Sequence, residues 1–222
     1  MKHNEEHYRG TTKKSRFAFG FGSFGTGLIY TMITAYLMFF LTQVAGLSGS
    51  IVGTFFLLAK FFDAVDDPLV GALVNNGKSR GVKYRTWIIF GAIISAILFA
   101  FMFLPVSFSL TGKYFYYFTL YILWSIAYTV VDIPYTSLVP NAAGSEDERY
   151  KMNSSAQIFS GVATIGVTVL VPIVISEISK NSTGHSEYFI ISVLIALLSI
   201  ISLFVAGFGV KERKNSKVAE AI

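Results

Sequence analysis

The residues best suited to chemistry are four charged side chains in the segment KFFDAVDDP, residues 60–68. Steps of three and four residues place Lys60, Asp63 and Asp67 on one face of a helix. Asp66 falls at the margin of that face. Three carboxylates against one ammonium suit the binding of a small hard cation, or the uptake of a proton. The alternative is a buried ion-pair network that joins two helices, although one lysine cannot neutralise three aspartates.

A second group combines aromatic rings with a carboxylate. Trp124, Tyr128 and Asp132 are each four residues apart, which predicts that they share a helical face. An aromatic ring can pack on the C–H face of a sugar, while a carboxylate accepts hydrogen bonds from two hydroxyls. The alternative for the two aromatic residues is contact with lipid or with another helix.

Two weaker stripes of small and hydroxyl-bearing residues recur at helical spacing. Such stripes are more often helix-packing contacts than ligands. They comprise Ser23, Thr26, Tyr30 and Thr34 in one segment, and Gln157, Gly161, Thr164 and Thr168 in another.

The elements that position these residues are predicted from composition. Of 222 residues, 53% are hydrophobic and only 14% are charged, whereas a soluble domain has roughly a quarter of its residues charged. A membrane core about 30 Å thick needs about 20 apolar residues of helix, and the sequence contains six such runs. They cover residues 17–44, 50–75, 86–106, 114–139, 156–178 and 187–209. Glycine and polar residues in the first two runs predict tilt or local irregularity.

Several functional classes are excluded at this stage. The chain has no cysteine, hence no disulfide or thiolate site. Its basic residues flank the apolar runs and form no patch for nucleic acid. No catalytic motif occurs, so neither an enzyme nor a cofactor is expected, and no metal beyond a transported Na⁺.

The distribution of basic residues predicts orientation. Fifteen of the eighteen Lys and Arg lie in the two tails and in the connections after the second and fourth runs. The opposite connections hold only Lys113 and Lys180. The positive-inside rule therefore predicts a multi-pass protein of the cell membrane with cytoplasmic tails at 1–16 and 210–222, around a bundle at 17–209.

Five sequence segments resemble the glycoside–pentoside–hexuronide:cation symporters of the major facilitator superfamily. Together they cover residues 15–213 in matching order. The segments are FAFGFGSFGTG (17–27), KFFDAVDDPLVG (60–71), KSRGVKYRTW (78–87), DIPYTSLVP (132–140) and VKER (210–213).

The resemblance implies roles for residues of the acidic segment. Asp63 and Asp67 match the two carboxylates of the family's cation site, and Thr129 matches a neutral neighbour. Asp66 stands where the family's melibiose permease has Asn, and Lys60 falls at a basic position.

On the sugar side, Asp132 matches a carboxylate of sugar recognition, which makes Trp124, Tyr128 and Gln157 further substrate candidates. Gln157 stands where the melibiose permease has Arg. Three other positions depart from that permease: Gly27 replaces a sugar-binding Asp, Thr136 a pocket Trp and Thr86 a Pro. The cation machinery is therefore expected to be kept, while the sugar is left open.

The resemblance implies an all-α transmembrane six-helix bundle like the N-terminal half of a major facilitator superfamily transporter, built of two inverted three-helix repeats. The expected function is symport of a sugar or glycoside with H⁺ or Na⁺, in the lipid bilayer, with a C-terminal six-helix half or second subunit as partner. Two alternatives stand beside it. One is a truncated remnant or structural membrane module, and the other is a carrier for a non-sugar solute such as a lysolipid.

Overall fold

The computed structural model describes residues 11–79, 83–179 and 186–210, and within these ranges the regular structure is helical with no strand. The prediction of an all-α fold is confirmed for this part of the chain. The first helix, α1 (Lys13–Met32), continues through two π-helical segments, Ile33–Leu37 and Phe40–Val44. The other helices are α2 (Gly49–Ser79), α3 (Tyr84–Met102), α4 (Leu110–Ala142), α5 (Glu146–Ser179) and α6 (Glu187–Gly209). Most of both tails, residues 80–82 of the basic connection and Lys180 lie outside the described residues.

Five of the helices are long and apolar enough to cross a membrane: α1 with its first π-helical extension, α3, α4, α5 and α6. The helix that does not meet this measure is α2. It has 31 residues, but Lys60, Asp63, Asp66 and Asp67 interrupt its middle, and charged side chains are costly within a membrane. Of the six predicted apolar spans, five therefore correspond to helices of the described residues that are apolar enough to cross a membrane, and the second span, α2, does not.

The local irregularity predicted for the first span lies at its end, in the π-helical segments. There Thr34 donates a hydrogen bond to the carbonyl of Tyr30 at 2.9 Å, and Thr42 to that of Met38 at 2.9 Å. Such bonds compete with the helix's own pattern and bend it. In the second predicted span the helix is not broken, because α2 continues through Pro68.

The helices pack in a pattern that is repeated in the two halves of the chain. The main partners of α1 are α5 and α6, those of α4 are α2 and α3, and α3 also packs on α6. Exchanging the first three helices with the last three leaves this set of contacts unchanged. Neighbours therefore follow the order α2, α4, α3, α6, α1, α5, with α2 and α5 at the two ends.

Small residues allow the inner helices to approach closely. A Cβ at Gly25 would lie 3.0 Å from backbone atoms of Ser199 on α6, and one at Gly91 would lie 2.8 Å from a methyl of Val131 on α4. Large apolar side chains such as Phe99 fill the remaining core and are fully buried. By contrast, α2 exposes a long apolar surface. It consists of Leu57, Leu58, Phe61, Val65, Leu69 and Leu73.

Candidate ion and substrate site

The acidic residues of α2 meet hydroxyl groups of α4 in two successive pairs. Ser125 donates a hydrogen bond from Oγ to Oδ1 of Asp63 at 2.5 Å, and Thr129 donates from Oγ1 to Oδ1 of Asp67 at 3.2 Å. Both hydroxyl-bearing residues are buried. The two helices run in the same direction, so the four-residue steps on each coincide and the pairs form a ladder.

The second oxygen of Asp63 is taken by an ammonium. Lys60 Nζ lies 2.9 Å from Asp63 Oδ2. The lysine side chain is 69% exposed and the aspartate side chain 20% exposed, so the ammonium lies on the open side of the pair and the carboxylate on the buried side. Asp63 thus carries one hydroxyl donor on its inner side and one cation on its outer side.

The third acid of the segment is not part of this geometry. The backbone of Asp66 belongs to α2, but its side chain lies outside the described residues. Among the described side chains, no group of three His, Asp or Glu residues could hold a metal ion.

The aromatic and acidic residues of α4 divide between the core and the cleft. Trp124 is buried in the core, where no hydrogen-bond partner for its Nε1 is found among the described residues. Its ring lies 5.1 Å from that of Tyr128. Tyr128 and Asp132 are half-buried. The phenol of Tyr128 interacts with Thr26 of α1 and lies near Asp132, which in turn lies within electrostatic range of Asp67.

Polar and charged side chains of α1, α2 and α4 therefore lie close together, and we call this region the polar cleft. Its described lining includes Thr26 and exposed Tyr30 from α1, the acid ladder from α2, and Tyr128 with Asp132 from α4. Thr136 is also exposed on α4, where its hydroxyl bonds back to the carbonyl of Asp132 at 2.9 Å. The spacing of the predicted cation and sugar residues brings most of them to one cleft.

The polar stripes of α1 and α5 serve packing only in part, since Ser23 and Thr164 bond to other helices whereas Thr26 and Tyr30 line the cleft. Thr31 and Thr164 share a hydrogen bond of 3.1 Å, and the phenol of Tyr36 donates to the carbonyl of Thr168 at 3.1 Å. Ser23 hydrogen-bonds Tyr135 at 2.8 Å. Gln157 is exposed on α5 and contributes to none of these contacts.

Gly27 also belongs to the α1–α5 contact. A Cβ at this position would lie 3.1 Å from Ser160 Oγ and 3.2 Å from the Cβ of Ala163. A side chain at this position would require Ser160 and Ala163 to shift by a few tenths of an ångström.

Ser125 is the site residue that sequence reasoning missed. The sequence does contain a pattern that indicates it, because Ser125 lies 62 residues after Asp63 and Thr129 lies 62 residues after Asp67. A hydroxyl four residues before Thr129 follows the four-residue spacing of the two acids.

The family model described as MFS/sugar transport protein matches residues 18–221. The chain belongs to this family. It is 31% identical over 203 residues to an uncharacterized symporter, YjmB, of Bacillus subtilis, covering 90% of this chain and 43% of that protein. It is 30% identical over 207 residues to a putative glycoside/cation symporter, YagG, of Escherichia coli, covering 93% and 45%. It is 29% identical over 199 residues to the isoprimeverose transporter of Lactiplantibacillus pentosus, covering 89% and 42%.

These similarities confirm the predicted relation to the glycoside:cation symporters and to the N-terminal part of such a protein. The chain is a multi-pass membrane protein of a transporter family, not of an enzyme family. It spans less than half the length of the curated relatives that it matches.

Proposed function

We propose that this chain forms one six-helix half of a symporter that couples the uptake of a sugar or glycoside to H⁺ or Na⁺. The observation that carries the proposal is the ladder in which Asp63 and Asp67 of α2 meet Ser125 and Thr129 of α4. In a membrane, carboxylates at this depth are retained where they bind a transported ion or relay a proton.

Under this proposal α2 also crosses the membrane, which brings the number of spans to six. Its charges and its exposed apolar residues occupy different sides of the helix: Lys60, Asp63 and Asp67 share one side, and Leu57, Phe61 and Val65 the other. The charged side contacts α4 and the cleft, and the apolar side is exposed as lipid requires. The bundle then extends over residues 17–209, with tails at 1–16 and 210–222.

The contact pattern supports two inverted three-helix repeats. The exchange of α1, α2 and α3 with α4, α5 and α6 preserves every main helix pair, as expected of such repeats. In transporters of this design the substrate site lies between two bundles, and access alternates as one rocks against the other. We propose that a C-terminal six-helix half, or a second subunit, closes the cleft.

The ion site would be built from oxygens. Asp63 and Asp67 supply carboxylates, Ser125 and Thr129 supply hydroxyls, and Asp66 is proposed as a third acid. Pro68 has no N–H, so the carbonyl four residues earlier, that of Ala64, lacks its usual helical donor and can serve as a further ligand. A hard cation prefers such oxygen ligands.

The ammonium of Lys60 now occupies one side of Asp63. We propose that it stands in for the coupling ion in the state described and moves into the cleft when the ion binds. Its exposed side chain leaves room for that movement.

The sugar would bind on the same cleft, next to the ion. Asp132 would accept hydrogen bonds from two sugar hydroxyls, and Tyr128 would pack against the ring. Trp124 would act from the core by supporting the ring of Tyr128. Gln157 of α5 is proposed as a polar contact from the other end of the bundle. The proximity of Asp132 to Asp67 gives a direct electrostatic route from ion to substrate.

The decisive experiment removes each ladder carboxylate from the transporter assembled with its second half. Asp63→Asn and Asp67→Asn should abolish accumulation of sugar against its gradient, because the driving ion loses a charged ligand, while downhill exchange is retained. Gradient-driven uptake and exchange are measured in the same liposomes, under an imposed Na⁺ or H⁺ gradient.

Asp147→Asn is the matched control, since Asp147 is an exposed acid of α5 paired with Lys151. Uphill accumulation at the unaltered level in both ladder variants would refute the proposed ion site. Uphill transport by the unaltered assembly also distinguishes a symporter from a non-transporting remnant.

Orientation is proposed from the basic residues and tested separately. The chain has no native cysteine, so single introduced cysteines report cleanly. Lys217→Cys should resist a membrane-impermeant maleimide in intact cells and react after permeabilisation, whereas Ser107→Cys, exposed between α3 and α4, should react from outside. Reaction of Lys217→Cys in intact cells would reverse the proposed topology.

A further inference from the structure

An apolar cavity of about 560 Å³ separates α2 from α4 at the end of the bundle where α1 connects to α2 and α3 to α4. Its floor is formed by buried side chains that include Leu41, Val52 and Tyr117. Its opening is flanked by Leu58, which is 55% exposed, and Phe115, which is 75% exposed. We call this space the α2–α4 groove.

The groove suits a hydrocarbon chain better than water. A cavity lined by aliphatic and aromatic side chains stays dry and takes up apolar ligands. It extends over residues 50–58 of α2 and 111–118 of α4, which corresponds to roughly 12 Å along the helix axes. One of its two walls, α4, is a helix apolar enough to span a membrane, and a lipid acyl chain is therefore an apolar ligand within reach of the groove.

One end of the groove carries polar groups that match a phospholipid headgroup. Ser50, Thr111 and Tyr114 line that end. Lys113, in the same turn of α4, donates a hydrogen bond to the carbonyl of Ala45 at 2.8 Å. An ammonium has three donors, so the bond that fixes Lys113 beside the rim leaves others for a phosphate. The groove is thus apolar along most of its length, with hydroxyl groups at one end and Lys113 close to that end.

We propose that the α2–α4 groove binds a phospholipid, with one acyl chain between the helices and the phosphate beside Lys113. This site is separate from the polar cleft, and it goes beyond the proposed transport function.

The groove is also placed to affect the ion ladder. Leu58 at its opening lies two residues before Lys60, and the ring of Phe55 packs on those of Phe118 and Tyr121. Tyr121 packs on Trp124, next to Ser125. The acyl chain would therefore set the spacing of α2 and α4 one to two turns from the Asp63–Ser125 bond.

The test uses the full 222-residue chain in vesicles of phosphatidylethanolamine and phosphatidylglycerol, with a small fraction of phosphatidylglycerol that carries a diazirine in its acyl chain. After photolysis, modified peptides are mapped by mass spectrometry. We expect saturable labelling within residues 50–58 and 111–118, and loss of that labelling when unmodified phosphatidylglycerol is added in excess over the probe.

Substitutions locate the tail and the headgroup. Leu58→Trp should fill the groove and remove most of the labelling, whereas Leu57→Trp, at an exposed neighbour outside the lining, should retain it. Lys113→Gln should weaken the apparent affinity for the probe roughly two- to fivefold, as expected for loss of a single ionic contact. Helical content and the thermal unfolding midpoint show whether each variant is folded.

Labelling that rises in proportion to probe and spreads over the exposed faces of α2, α5 and α6 would overturn the proposal, because it would indicate only the lipid that surrounds any membrane protein. Absence of labelling in the groove would also overturn it and would leave the groove to a protein partner. The competition experiment uses the unaltered chain, so misfolding of a variant does not affect this result.

Discussion

The contacts α1–α5 and α2–α4 occupy equivalent places in the two halves of the bundle, yet they are built from different chemistry. In the α1–α5 contact the backbones approach so closely that a Cβ at Gly20 would lie 2.6 Å from the ring of Phe159. In the α2–α4 contact there is space: a Cβ at Gly71 would be 3.9 Å from its nearest neighbour, a methyl of Ile133. The second contact combines the acid–hydroxyl ladder with the packing of Phe55 on Phe118 and Tyr121.

The difference indicates which helix is built to move. Close packing of small residues holds α1 and α5 through many short-range contacts, which a shift of either helix would lose together. The hydroxyl–carboxylate bonds of α2 and α4 can be exchanged for bonds to an ion or to water at little cost. We infer that α2 is the element whose position responds to ion occupancy, while α1, α5 and α6 form the fixed part.

The largest effect on stability is therefore expected in the closely packed α1–α5 contact. Gly20→Val should lower the free energy of unfolding by about 3 kcal/mol, because the added carbons must displace Phe159 and Ser155. Gly71→Val introduces the same side chain in a helix with space for it and should change stability by less than about 1 kcal/mol. Thermal unfolding of the two variants in the same detergent makes the comparison. Equal losses would mean that α2 is packed as tightly as α1.

An intermediate effect is expected from the ladder itself. Ser125→Ala removes the donor at 2.5 Å from Asp63 and should cost about 1.5–2 kcal/mol, since hydrogen bonds to charged groups are the stronger ones. Thr129→Val removes the longer bond of 3.2 Å to Asp67 and should cost less.

A double-mutant cycle with Asp63→Asn isolates the Asp63–Ser125 term. A coupling free energy near zero in that cycle would show that Ser125 acts through packing and not through the carboxylate.

The site residues differ in how far their places could be predicted from spacing. Trp124, Tyr128 and Asp132 are four residues apart, but each step of four turns a helix by roughly 40° beyond a full turn. The accumulated rotation of about 80° places Trp124 in the core and Asp132 in the cleft. Spacing within one helix is readable from sequence, whereas the direction in which the whole face points depends on neighbouring helices.

The same limit explains why the role of Ser125 and the surroundings of α2 could not be predicted from the sequence. The position of Ser125 on α4 gives it a role only once α2 is known to lie alongside, in the same direction and in register. For α2 itself, the apolar residues predicted a span, but the four charges in its middle distinguish it from the five helices that are apolar enough to cross a membrane. Two of these charges, Asp63 and Asp67, have hydroxyl partners on α4 that no local pattern contains.

The smallest expected effect on stability is that of Lys60, and it separates the two interpretations of the acidic segment. The lysine side chain is 69% exposed, and exposed ion pairs contribute between about zero and 1 kcal/mol. If the ammonium stands in for the coupling ion, Lys60→Gln should leave the unfolding midpoint nearly unchanged and lower the cation concentration needed for half-maximal sugar binding, because a tethered competitor for Asp63 has been removed. Lys151→Gln, which breaks the exposed pair with Asp147 away from the cleft, is the control and should change neither quantity. Both quantities are measured on the assembled transporter, the first by thermal unfolding and the second by sugar binding across a cation titration.

If the pair instead serves to join helices, Lys60→Gln should lower the midpoint by several degrees and leave the cation dependence unchanged. That result would return Lys60 and Asp63 to a structural role and would place the mobile contact of the bundle elsewhere than at α2.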